Sequence, residues 1–277
     1  MAAHLLHVFA LCLINGAIAS EWSYADKDQW PVEFPVSCNG QHESPINIVR
    51  LQTRWAWLSP AMPFQFTDYH TVPTSMTAVN NHHTLSTTAT YVTKPRISGG
   101  GLPYTYEFVN FHFHWGADES QGSEHTIDTV QYPLELHIVH SRVDETMDVA
   151  LTQPHGLAVL GIFFELSMSD NPALEHVLSS IDVINAAPDL TAQVVNPYAL
   201  ASLLPDDVRR FYRYDGSLTT PVCNEAVVWT VFAQPLHVSR AQLDKLRSLA
   251  DGHGGQLQNN FRNPQPLNGR TVYRTWP

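Results

Sequence analysis

The residues of this chain best suited to chemistry are histidines. In Asn110-Phe111-His112-Phe113-His114-Trp115, side chains two apart along an extended strand face the same side. Asn110, His112 and His114 would then share a polar face, and Phe111, Phe113 and Trp115 an aromatic one. Two imidazoles so placed can meet one ion. Among 15 histidines such a pair arises readily by chance, but a second segment strengthens it. In Glu135-Leu136-His137-Ile138-Val139-His140, the same parity groups Glu135, His137 and Val139 against Leu136, Ile138 and His140. An adjacent strand would thus present a third imidazole with a carboxylate beside it. Three neutral nitrogen ligands leave the fourth tetrahedral position of a zinc ion open to water, which is the arrangement of a catalytic site. A structural zinc wants four protein ligands, and no cysteine lies near. A ligating imidazole also needs its second nitrogen anchored, and Asn110 and Glu135 stand on the faces from which to do so. The plain alternative for Glu135 is a half-exposed strand carboxylate.

The elements that must position these residues read as strands. Runs rich in Val, Thr, Tyr and Phe at 87–93, 104–115, 134–140 and 227–232 are bounded by Gly, Pro, Asn or Asp, which is the local signature of sheet. Gly99-Gly100-Gly101 suits a hairpin turn. Helical signals are few: 171–178, and 239–250 with Ser239 as N-cap and Gly252 just beyond. The pattern predicts a mostly β (α+β) chain with short peripheral helices, and with no repeat or linker it predicts one domain.

Composition narrows the partners. Of the 277 residues 44% are hydrophobic, and 15 basic against 26 acidic side chains leave a net charge of −11. Such a surface repels nucleic acid and anionic membranes and favours a small substrate. The apolar, uncharged run from Leu5 to Ile14, ending in Ala17-Ile18-Ala19, predicts a secretory signal over 1–19, cut after Ala19 or Ser20, with a domain over 20–277. The expected product is secreted and extracellular, without a membrane anchor, and a monomer by default. Cleavage would remove Cys12 and leave Cys38 and Cys223. In an oxidising compartment one disulfide is the natural expectation, two separate buried thiols the alternative. By loop-closure entropy such a bridge would be worth roughly 4–5 kcal/mol.

Several separate motifs then resemble the α-class carbonic anhydrases. They are Phe111-His112-Phe113-His114-Trp115-Gly116, Gly122-Ser123-Glu124-His125-Thr126 and Glu135-Leu136-His137-Ile138-Val139-His140. They are flanked by Trp22-Ser23-Tyr24, Ser44-Pro45-Ile46-Asn47-Ile48, Asn80-Asn81, Gly216-Ser217-Leu218-Thr219-Thr220-Pro221 and Pro264-Gln265-Pro266-Leu267-Asn268-Gly269-Arg270. The resemblance covers nearly all of the expected mature chain. It implies a single domain on a large, mainly antiparallel twisted sheet, with Zn2+ at the base of a conical cleft on His112, His114 and His137. It also implies reversible hydration of carbon dioxide to bicarbonate by zinc-bound hydroxide, a side esterase activity, and inhibition by sulfonamides and anions.

Residue by residue, the resemblance makes Thr219 the acceptor from the hydroxide and donor to Glu124, and His83 the proton shuttle. It makes Tyr24 and Asn81 supports of the proton wire. Asn260 supports the ligands with Asn110 and Glu135, while Val139, Val159, Leu218, Thr220, Val227 and Trp229 line the substrate pocket. His125 and His140 match structural histidines, and Cys38 and Cys223 match the disulfide of secreted members.

Four departures stand out. Asn110 replaces a longer Gln, so its bond to His112 is expected to be lost or bridged by water. His82 stands where Gly is common, which leaves open whether its ring or that of His83 faces the cleft as the shuttle. Ser86 replaces a longer polar residue at the rim. Val222 follows Pro221 where a second Pro usually sits in a cis peptide; a non-proline cis bond costs about 2.5–4 kcal/mol, which leaves either a strained cis or a trans peptide here. Two other functions compete. A cupin-like oxygenase would use His112-x-His114 with Glu119, though Tyr106 and Thr126 stand where its glycines belong. A zinc-free binding module of the same fold would normally have lost a ligand.

Overall fold

A computed structural model describes residues 22–56, 63–187 and 189–277 of the chain; the expected leader, 1–19, lies outside the described residues. The dominant element is a 13-stranded sheet. Its main strands are β1 (Ser75–Asn80), β2 (Leu85–Thr90), β3 (Tyr106–Trp115), β4 (Leu134–Arg142), β5 (Leu157–Ser167), β6 (Phe211–Gly216) and β7 (Val227–Phe232). From one edge the order is Thr191–Gln193, β1, β2, β3, β4, β5, β7, β6, Tyr273–Arg274 and Arg54–Trp55. Most neighbours run antiparallel. β5 lies parallel to β7 and to Leu236–Ser239, and Tyr273–Arg274 lies parallel to Arg54–Trp55, so the sheet is mixed. A parallel neighbour needs a long crossover, and here the connection from β5 to β7 carries the helices α1 (Pro172–Leu178) and α2 (Ile181–Ala186) and strand β6.

Strand parity sorts the core onto two faces. Phe111, Phe113 and Trp115 of β3, with Leu136 and Ile138 of β4, are buried in one apolar cluster beneath α1, α2 and α3 (Arg240–Arg247). Val139, Val159, Trp229 and Tyr214 belong to a second cluster on the opposite face. Each fully buried large apolar side chain contributes roughly 1.5–3 kcal/mol, so alternation along β3 and β4 is strongly enforced. β5, buried on both faces over Leu157–Phe164, is a continuous apolar run instead of an alternating one. The α3 helix begins as its sequence predicts, with the Ser239 hydroxyl accepting from the Gln242 amide in a reciprocal capping box. It closes at Arg247, short of the expected 250.

Cys38 and Cys223 form a disulfide, packed against the buried Trp30. The Pro221–Val222 peptide is cis. No helix among the described residues is long and apolar enough to cross a membrane.

Candidate metal centre

Antiparallel pairing of β3 with β4 sets His112 directly opposite His137 and His114 opposite Glu135. This register converts two sequence motifs into one cluster. The ring nitrogens of His112, His114 and His137 come within 4.8 Å of one another.

Anchoring decides which nitrogen of each ring is available. His114 Nδ1 lies 2.8 Å from the Asn260 carbonyl, which can only accept, so Nδ1 carries the proton and Nε2 is bare. His137 Nε2 lies 2.8 Å from Glu135 Oε1, so its Nδ1 is bare. These two bare nitrogens face each other at 3.0 Å, and Glu124 Oε2 stands 3.5 Å from one and 3.9 Å from the other. His112 Nδ1 meets Asn110 Oδ1 at 3.2 Å, leaving its Nε2 to the cluster. Lone pairs and a carboxylate oxygen thus converge with no donor between them, which calls for a cation. Tetrahedral zinc at 2.0–2.1 Å from each nitrogen would separate them by about 3.3 Å. Burial drives the pKa of His112 well below the ordinary imidazole value, that of His114 down to about 4, and that of His137 downward. All three are therefore neutral, as ligands must be. The residues present fit zinc.

Behind the ligands lies a saturated relay. Glu135 Oε2 accepts from the amides of Glu124 and His125, both at 2.8 Å, while Oε1 accepts from His125 Nδ1 at 2.7 Å and from His137. Burial pushes this carboxyl up, but the imidazoles of His125 and His137 outweigh it and hold the pKa well below the usual range. His125 Nε2 meets the Tyr214 hydroxyl at 2.6 Å, which meets Ser44 Oγ at 2.9 Å, and Ser44 in turn bonds Ser217 through two contacts. The chain of bonds ends two residues from Thr219. His140 is apart from the ligands, held by Tyr69 and the Ala158 carbonyl.

Glu124 is fully buried. Burial raises its pKa to about 7 against the pull of His137, the Thr219 hydroxyl and the Arg262 amide. Oε1 accepts from that amide at 2.8 Å. Oε2 has no hydrogen bond among the described residues, and hydrogen bonding from the Thr219 hydroxyl favours the charged form of the carboxyl against its burial.

A cleft of about 330 Å³ opens over His112 and His114. Tyr24, Asn81, His83, Asn110, Val139, Leu218 and Thr220 line it, as does Ser86. Of the two candidate shuttle rings, His83 faces the cleft and stacks on Trp22, ring centroids 3.8 Å apart. His82, with φ of +66°, is turned away so that its ring lies against Gly252. The Asn81 side-chain oxygen holds this turn by accepting from the amides of His83 and Thr84.

One expectation needs correction, and the placement of two other sets of residues can be stated. The Asn110–His112 bond is direct: a β-bulge between Phe108 and Asn110 re-aims the chain there, and the shorter amide still reaches. Val159, Val227 and Trp229 are about 1% exposed and pack in one cluster with Val139, Trp229 with its ring 4.8 Å from that of His137. Glu119 pairs with Arg240 and Arg247, outside the metal-capable clusters. Conversely Val109, Met147, Leu151 and Leu157 line the cleft without any chemical signal in sequence. Strict alternation assigns Val109 to the aromatic face, and only the bulge turns it inward.

Comparison with known proteins supplies an independent line. Residues 25–276 match the family described as eukaryotic-type carbonic anhydrase. The chain is 36% identical to putative carbonic anhydrase 3 of Caenorhabditis elegans over 260 residues, covering 92% of this chain and 98% of that one. It is 33% identical to human carbonic anhydrase 6 over 285 residues, 99% and 90% of the two chains. It is also 35% identical to mouse carbonic anhydrase 15 over 270 residues, 91% and 82%.

Proposed function

The chain belongs to the eukaryotic-type carbonic anhydrases, and from that membership we propose how its residues divide the work of hydrating carbon dioxide. It is a zinc enzyme interconverting carbon dioxide and bicarbonate. The zinc supplies Lewis acidity, which in this enzyme class, the reference case, brings the pKa of bound water to about 7. His112 and His114 through Nε2 and His137 through Nδ1 would hold it, with Asn110, the Asn260 carbonyl and Glu135 fixing their rings. The single observation that carries the assignment is the pair of bare nitrogens 3.0 Å apart with no donor between them.

Thr219 would accept a hydrogen bond from the nucleophile and donate its own hydroxyl hydrogen to the Glu124 carboxylate, a reading supported by the pull of that hydroxyl on the carboxyl. A hydroxyl can do both at once, and the pair would orient one lone pair toward the substrate carbon. Carbon dioxide has no dipole, so apolar wall area holds it. Val139 and Leu218 would provide that wall beside Thr220, with Val159, Val227 and Trp229 packed in one cluster with Val139. His83 lies at the cleft surface as the residue to carry the released proton outward, with Tyr24 and Asn81 ordering the path. Activated esters small enough for the cleft would be side substrates, and sulfonamides and anions would block it. Residues 1–19 would direct the chain to secretion, where the Cys38–Cys223 bond persists.

The decisive experiment combines zinc analysis with stopped-flow hydration of carbon dioxide. One zinc per chain and sulfonamide-sensitive turnover are expected; stoichiometric zinc without such turnover would sink the assignment.

A further inference from the structure

Arg262 is a buried arginine, 1% exposed, that touches neither ligand nor cleft. Its Nη1 donates to Glu43 Oε2 at 2.5 Å and to the Ser44 carbonyl at 2.9 Å, and its Nη2 to the Cys38 carbonyl at 3.2 Å. Its backbone amide donates to Glu124 Oε1 at 2.8 Å. That amide is the backbone donor on the Glu124 carboxylate, beside the Thr219 hydroxyl. The position of Glu124 Oε1 is therefore tied to that of residue 262, and residue 262 is held by Glu43 and by the cysteine loop.

The cysteine loop reaches the other partner as well. Cys38 is bonded to Cys223, whose amide donates to the Thr220 carbonyl at 2.7 Å, one residue from Thr219. One covalent link thus holds both members of the Thr219–Glu124 pair, Thr219 through the 220–223 turn and Glu124 through Cys38 and Arg262. Stability alone accounts poorly for the arrangement. Among the described residues Glu43 Oε1 and Arg262 Nε are buried without a side-chain-atom partner, and a buried ion pair left partly unsatisfied is often no better than apolar packing.

We propose that Arg262 is a positioning residue for Glu124, and that through it the placement of Glu124 depends on the Cys38–Cys223 bond. The functional part rests on the assignment of Thr219 and Glu124 above. The positional part does not.

Two measurements on the zinc-loaded protein test these parts separately. The first is hydrogen exchange at the residue 262 amide, which reads its bond to Glu124 directly. In Arg262→Lys, in Glu43→Gln and in Cys38→Ser this amide should exchange at least about tenfold faster relative to the amides of β3 and β4. A general loosening would speed all of them together. The second is kcat/KM for carbon dioxide, which should fall about tenfold in each variant at one zinc per chain. In Arg262→Lys/Cys38→Ser the two losses should overlap instead of multiplying.

Unchanged relative exchange at residue 262 overturns the positional link. Losses that multiply show that the disulfide acts on turnover by a separate route and overturn the coupling. If Glu124→Gln leaves turnover intact while exchange at residue 262 responds, the positional link stands and the role given to Glu124 fails.

Discussion

Neutral imidazoles are what a three-histidine zinc site requires, and burial provides them before any metal arrives. Orientation is the harder problem, and Glu135 solves it by spending all of its accepting capacity on the amides of Glu124 and His125 and the rings of His125 and His137. Glu135→Gln replaces one carboxylate oxygen with a donor, so either the two rings on Oε1 or the two backbone amides on Oε2 face a donor and must shift. Zinc affinity should fall about 10–100-fold, read by competition with a chelator. His140 allows a pH prediction independent of the metal. Burial, against weaker support from the Ala158 and Ile138 carbonyls, lowers its pKa to about 3. Folded, it binds no proton above that value; unfolded, it binds one below about 6.5. Stability is therefore lost as the pH falls from about 6.5 toward 3, by about 1.4 kcal/mol per unit. In His140→Gln the dependence of melting temperature on pH over that window should be shallower by about one proton; an unchanged slope would show that His140 does not stay neutral.

Strand pairing turns these residues into a site, and it divides what could be read in the sequence from what could not. Parity alone placed His112, His114 and His137 on converging faces, because alternation along β3 and β4 is dictated by Phe111, Phe113 and Trp115 on the opposite side. The direct bond from Asn110 was not legible, since it depends on a bulge immediately upstream that no residue type announces. Nor was the depth of Trp229: an apolar strand residue looks the same whether it fronts a cavity or backs one. The 157–164 run is apolar throughout and offers no parity to read. Its Gly161, paired with His137, carries a consequence the local sequence hides. A Cβ there would meet Glu135 Oε1 at 3.2 Å and Val231 Cγ2 at 3.4 Å. Gly161→Ala should therefore weaken zinc retention several-fold and cost about 1–3 kcal/mol through overpacking, measured by chelator competition and denaturant unfolding. Full zinc affinity in that variant would mean that Glu135 has room to move.

At the scale of the molecule, the Cys38–Cys223 bond closes a span of 185 residues that contains all three ligands. Cys38→Ser should lower stability by about 2–5 kcal/mol, seen as a lower melting temperature; an unchanged curve would show that the sheet holds without it. His137→Ala should abolish zinc retention and turnover while circular dichroism still reports the sheet, because the cores on both faces are built from apolar side chains the metal does not touch. The two ligand strands occupy the middle of the sheet, with β2 and β5 paired outside them. A slip of one residue between β3 and β4 would turn His137 away from His112 and send Leu136 or Ile138 into its place. Zinc can consequently be captured by correctly registered molecules alone. The metal content of a sample refolded from denaturant would count the fraction of chains whose central strands have found their proper partners, making the cofactor a built-in assay of the sheet that binds it.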